Sequence, residues 1–285
     1  MNNQNFRRFK NTYFNFKVSI IESILFFLIV LFLGQLVAGV VSAPTYYIPA
    51  LSILLLPLSF FLGFGSVAFV LLKIKGMGLA DIRDFLHLKL NPLQGVLAVL
   101  LYGVSLPLAE YLSMVVPVDG TPFLEDLYEF FTESMKIIFE QKIAAFIMVC
   151  LLAPLLEEFI FRGIILRGLL HSNVNPWVAI ILTGFLFGAA HMNPWQFMGA
   201  GFLGIIFGFV YWRTQSLWLV IFLHFLNNSI AYAITMYNDS LEETVFEPNF
   251  QLIIGSVLLT ILVIFLLYKY SLKSALKPVN QIENR

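Results

Sequence analysis

Glu157, Glu158 and Arg162 lie in a stretch from Ile143 to Leu170 that is otherwise nearly all apolar. On a helix Glu158 and Arg162 are four apart and share a face, so they can pair. Glu157 is offset by one position and points elsewhere. Ionisable groups at membrane depth are costly and usually face a protein interior or a wet cavity. A structural Glu–Arg pair accounts for one acid and leaves Glu157 as the surplus. His191, His224 and Asn228 are further polar residues set in apolar runs.

These residue types together can hydrolyse an amide without a covalent intermediate. A carboxylate can take a proton from water, and a low-dielectric setting suits that role. A histidine beside it can share or orient the proton. A second histidine and an asparagine amide, four apart at His224 and Asn228, can donate to the oxyanion of a tetrahedral intermediate. No serine or cysteine stands at a persuasive nucleophile position: Ser229 and Cys150 lack a partnered base in sequence, and Gly-x-Ser-x-Gly is absent. A metal is the competing account, with Glu157, His191 and His224 as zinc ligands and one position open. His-Glu-x-x-His, however, does not occur.

The elements that must position these groups follow from composition. Hydrophobic residues make up 59% of the 285 and charged residues 12%, a balance of an integral membrane protein. The formal net charge is zero, which gives no hint of a nucleic-acid partner. A single cysteine excludes an intramolecular disulfide and a cysteine-rich metal site. The first apolar run is too long for a cleavable signal peptide. There is no internal repeat and no low-complexity segment.

Eight apolar segments are expected to be helices: 20–42, 47–72, 93–117, 142–170, 176–191, 194–212, 216–237 and 250–270. The fold class is therefore an all-α, polytopic membrane bundle. Residues 1–19 mix basic and aromatic side chains and suit an anionic membrane surface. Segments 20–121 form an N-terminal set of spans. Residues 122–141 show apolar positions at helical spacing with acids between them, the pattern of an amphipathic interfacial helix. A core at 142–237 carries all the candidate site residues, and 238–285 supplies a last span and a tail. With the N-terminus inside, fourteen Lys and Arg fall on the inner side and two, Lys136 and Lys142, on the outer. That bias places both termini in the cytoplasm, which an even number of crossings requires.

Heights along these segments can be compared at about 1.5 Å per residue. Glu157 is about 20 Å above Leu170, His191 about 22 Å above Pro176, and His224 and Asn228 about 16 and 22 Å above Arg213. Three segments thus bring polar groups to one layer. Segment 176–191 is short, and its junction His191-Met192-Asn193-Pro194 carries no charge. A hairpin with its polar tip at membrane depth is expected, tolerated where it lines a cavity or is buried in protein. Small residues at four-residue spacing, Gly184 and Gly188, then Ala200, Gly204 and Gly208, allow close helix approach.

Three motifs occur in order. Glu-Glu-x-x-x-Arg is Glu157-Glu158-Phe159-Ile160-Phe161-Arg162, preceded by Ala153-Pro154 and followed by Gly163. Phe-x-x-x-His is Phe187-Gly188-Ala189-Ala190-His191, and His-x-x-x-Asn is His224-Phe225-Leu226-Asn227-Asn228. Over roughly 142–232 the chain resembles the CAAX prenyl endopeptidases of the Ras-converting type and their bacterial CPBP (abortive-infection) relatives.

The resemblance implies an eight-helix intramembrane protease of a bacterial plasma membrane, its cavity open to the cytoplasmic side. It implies Glu157 as general base on water, His191 as its partner, His224 and Asn228 as the oxyanion site, and Glu158 and Arg162 in support. No cofactor is expected under this mechanism, zinc being the alternative. The expected partners are a peptide or protein substrate, membrane-associated and prenylated or not, and the lipid bilayer. Two other classes stay open. A non-catalytic immunity or scaffold protein could keep the Glu158–Arg162 pair for packing. A transporter could relay protons through the same groups, although no pair of similarly interrupted segments marks the two halves.

Overall fold

The computed structural model describes residues 16–78, 91–238 and 249–271. The connection carrying Arg83 and Lys89, most of the basic-aromatic 1–19 segment, the loop at 239–248 and the tail from 272 lie outside the described residues. Among the described residues the regular elements are helices. Seven are long and apolar enough to cross a membrane: α1 Ile20–Tyr46, α2 Pro49–Ile74, α3 Pro92–Met114, α5 Lys142–His171, α7 Pro194–Thr214, α8 Leu217–Asn238 and α9 Phe250–Tyr270. The eighth apolar helix, α6 Pro176–Ala189, is the short one. The amphipathic helix, α4, runs Pro122–Glu140. The chain is thus a multi-pass integral membrane protein built as an all-α bundle.

The helices begin where the sequence supplies a cap. Three helices start on an Asn-Pro step: the Asn91, Asn175 and Asn193 side chains accept from the N–H groups of Leu93, Trp177 and Gln196. In each, proline occupies the first helical position, where no N–H is needed. The α7 end is closed by Gln215 in the left-handed region at φ 54°, and Ser216 follows before α8 begins.

Burial singles out α7 as the hub: 67% of its most apolar window is buried, against 17% in α1 and 22% in α9. Glycines make this possible. A Cβ on Gly188 of α6 would sit 2.6 Å from the Phe197 carbonyl oxygen and 2.9 Å from Gly201 Cα. One on Gly204 would reach 3.1 Å from Gly184 Cα. The glycine that meets Gly188 is Gly201, so Gly201 joins Gly204 and Gly208 on the α6 side. On another side of α7, a Cβ on Gly199 would overlap Ser113 Oγ of α3 at 2.0 Å. Backbones this close gain van der Waals contact that larger side chains would prevent.

Two features frame the hub. Helix α4 reaches over the start of α7, where Tyr128 and Phe131 contact Trp195 at ring distances of 5.0 and 6.4 Å. Trp195 in turn donates its indole N–H to the Val116 carbonyl at 3.1 Å. At the opposite end of α5, the extended segment before α1 is tied down. Val18 N–H donates to the Gly168 carbonyl at 3.0 Å, and Ser172 Oγ donates to the Val18 carbonyl at 2.9 Å.

Candidate active site

Helix α5 carries the acids in a short α-helical turn, Ala153–Glu158, between two stretches of wider π-helical turns, Phe146–Leu152 and Phe159–Leu166. Pro154 explains the first of these. Proline has no N–H and its ring crowds the carbonyl four residues back, so a regular helix is disfavoured there. The Ala153 N–H reaches back five residues to the Met148 carbonyl, and π-turns of this kind occur often at functional sites.

Glu158 and Arg162 are both fully buried. Arg162 Nη1 donates to Glu158 Oε1 at 2.8 Å, and Nη2 donates to the Gly204 carbonyl of α7 at 2.9 Å. The guanidinium also lies over the Phe187 ring at 4.5 Å and nearer its edge of range over Phe207 at 5.9 Å. Glu158 has a second partner that sequence spacing did not show. The same Oε1 accepts from His224 Nδ1 of α8 at 2.9 Å. Glu158 therefore joins α5 to α8 while Arg162 joins α5 to α7. Glu158 Oε2 and Arg162 Nε find no hydrogen-bond partner among the described residues.

The two histidines take the same orientation. His191 Nδ1 is 3.0 Å from the Phe187 carbonyl oxygen. A carbonyl only accepts, so Nδ1 carries the proton and Nε2 is the basic nitrogen of the neutral ring. The carboxylate facing His224 Nδ1 likewise puts a proton on that nitrogen, and Nε2 is left for chemistry. Phe187 sits between them, with ring centroids 5.2 Å from His191 and 5.6 Å from His224. Its place four residues before His191 thus has three uses: a carbonyl for Nδ1, a wall between the rings and a face for Arg162.

Glu157 differs from its neighbour in kind. It is only partly buried, and no protein group among the described residues hydrogen-bonds its carboxylate. It is nonetheless within electrostatic reach of His224 and His191. Of the polar groups expected at one height, Glu158 and His224 are brought into direct contact. No hydrogen bond joins Glu157 to His191. Asn228, one turn beyond His224, donates from Nδ2 to the Val149 carbonyl at 2.8 Å and accepts from Asn227 Nδ2 at 3.1 Å. The Gly204 and Val149 carbonyls could not be read from sequence, because every residue has one. Asn227 was legible only as part of an Asn-Asn pair.

A metal fits this arrangement poorly. Among the described residues no three His, Cys, Asp or Glu side chains are grouped to hold an ion. The zinc set Glu157, His191 and His224 is therefore not grouped as ligands among the described residues.

Residues 139–230 match the family of type II CAAX prenyl endopeptidases, Rce1-like. The chain is 32% identical over 111 residues to a Bacillus subtilis (strain 168) protein, YdiL, whose name describes a candidate membrane peptidase; this covers 38% of the chain and 44% of YdiL. It is 33% identical over 127 residues to MroQ of Staphylococcus aureus (strain USA300), named a membrane-embedded CAAX protease, covering 42% of the chain and 51% of MroQ. The matched part thus spans about half the length of these curated relatives. No solved structure matches the chain.

Proposed function

With residues 139–230 forming a CAAX-endopeptidase-like domain in a multi-pass bundle, we propose that the chain is an intramembrane endopeptidase in which Glu157 activates water. The observation that carries this reading is the contrast between the two adjacent acids. Glu158 is spent on Arg162 and His224, whereas Glu157 is unbonded, partly accessible and close to both histidines.

The steps balance in charge. Glu157 removes a proton from water as the oxygen attacks the peptide carbonyl, with His191 Nε2 orienting that water. The negative charge passes from Glu157 to the carbonyl oxygen. A proton on His224 Nε2, beside the one that Nδ1 shares with Glu158, donates to this oxyanion, and the remaining Nδ2 hydrogen of Asn228 donates alongside. One negative charge moves from Glu157 to the carbonyl oxygen and none is added, so the transfer leaves the net charge of a low-dielectric site unchanged. When the C–N bond breaks, Glu157 returns its proton to the leaving amine.

This mechanism routes no step through a metal. The substrate class is a peptide or protein reached at or within the membrane. Comparing membrane peptidomes of cells carrying wild type and Glu157→Ala tests the proposal. Peptides present only with wild type support it; indistinguishable peptidomes at equal protein levels overturn it and favour a scaffold held by the Glu158–Arg162–Gly204 contacts.

A further inference from the structure

Asn228 is useful to an oxyanion only if its amide nitrogen, not its oxygen, faces the reacting carbonyl. We infer that Asn227 and Tyr102 are positioning residues that hold the Asn228 amide in that orientation, an inference that rests on the hydrolytic reading above. The structure supplies an ordered chain. Tyr102 OH on α3 lies a long 3.5 Å from Asn227 Oδ1. Asn227 Nδ2 donates to Asn228 Oδ1 at 3.1 Å, and Asn228 Nδ2 donates to the Val149 carbonyl at 2.8 Å.

The direction of every link follows from its last member. The Val149 carbonyl can only accept, so the group facing it is the Asn228 nitrogen. The Asn228 oxygen then faces Asn227, which must present its own nitrogen. That leaves the Asn227 oxygen toward the Tyr102 hydroxyl, which donates. One Asn228 hydrogen is used on Val149 and one is left over.

Val149 is available because of Pro154. Where α5 runs in five-residue steps, the Ala153 N–H is taken by the Met148 carbonyl. The next donor in that register, which would reach Val149, is the missing N–H of Pro154. The Asn228 amide fills the position of that absent backbone donor. A part-buried carbonyl left without a donor is costly, and the Asn228 amide meets this one at 2.8 Å.

Tyr102 lies outside the 139–230 match and is almost fully buried. A helix beyond the matched domain thereby contributes to the site. Asn227 itself stands beside the oxyanion site and acts through Asn228.

The test is a double-variant cycle in proteoliposomes, read with a pool of internally quenched hydrophobic peptides. Asn228→Ala is expected to lower kcat by about 10²–10³-fold, as loss of an oxyanion donor does. Asn227→Leu, and Asn227→Asp with the same shape but no donor, should lower kcat by about 10–100-fold with KM little changed. Tyr102→Phe should cost about 2–10-fold, one hydrogen bond's worth. In the Asn228→Ala background, Asn227→Leu should do no further harm. A second readout needs no substrate: the Asn228 side-chain amide resonances, assigned by their loss in Asn228→Ala, should be sharp in wild type and exchange-broadened in Asn227→Leu.

Wild-type kcat in Asn227→Leu, or losses that multiply in the double variant, overturn the inference while leaving the protease reading intact. Wild-type kcat in Asn228→Ala removes the oxyanion role and the inference with it. A wild type that cleaves none of the peptides counts against the protease reading, and the amide resonances then still decide whether Asn227 orients Asn228.

Discussion

Replacing each of two adjacent acids by its amide should give opposite stability outcomes. In Glu158→Gln the residue that binds both Arg162 and His224 loses its charge. Its remaining carbonyl oxygen can still accept, but the new NH₂ takes the place of Glu158 Oε2, which has no hydrogen-bond partner among the described residues. Arg162, fully buried, loses the carboxylate it is directly paired with, a situation that costs on the order of 3–5 kcal/mol. In a protein of this size about 1 kcal/mol corresponds to roughly 2–4 °C, so the melting temperature should fall by about 5–20 °C.

Glu157→Gln removes no hydrogen bond and no ion pair seen among the described residues. Its effect on stability should stay within about 0.5 kcal/mol, while turnover falls by about 10²–10⁴-fold as the general base is lost. Melting in detergent beside cleavage of a reporter peptide, at matched protein amounts, reads both. Glu157→Gln that cleaves normally, or that melts as early as Glu158→Gln, would refute the division of labour.

If Glu157 rather than zinc activates water, activity should survive chelators and purified protein should hold no stoichiometric metal; one zinc per chain, lost in His191→Ala, would establish the metal account. Orientation can be read by labelling cysteines in sealed vesicles in a Cys150→Ser background: Asn173→Cys should react only from the cytoplasmic side and Asp119→Cys only from outside, and the reverse would invert the topology. Gly188→Ala should abolish accumulation of folded protein, because its Cβ meets backbone at 2.6 Å. Gly103→Ala, where no atom lies within 4 Å, should express and melt as wild type does.

The apolar helices and their approximate limits were legible in sequence because each depends on local composition, although α6 is shorter than the other seven. A run of apolar residues must be helical in lipid whatever its neighbours do, since its backbone groups have no other partners. Caps such as Asn175-Pro176 and Asn193-Pro194 are equally local. The Glu158–Arg162 pair was legible for the same reason, four residues being one helical turn. Glu157 as the surplus acid followed from that pairing.

What connects one helix to another was decided by the tertiary structure. His224 is 66 residues from Glu158, and nothing in their spacing says that an Nδ1 proton will meet that carboxylate. The glycine faces let α6 and α7 approach, and only that approach brings the Gly204 carbonyl to Arg162. The Val149 carbonyl is chemically like every other carbonyl of the chain. It becomes a ligand for Asn228 because Pro154 alters the helix locally and α8 happens to pass at that height. Sequence supplied the reactive groups and the helices that carry them; packing chose which oxygen, nitrogen and carbonyl face one another, because hydrogen bonds depend on distances that residue spacing between helices does not set.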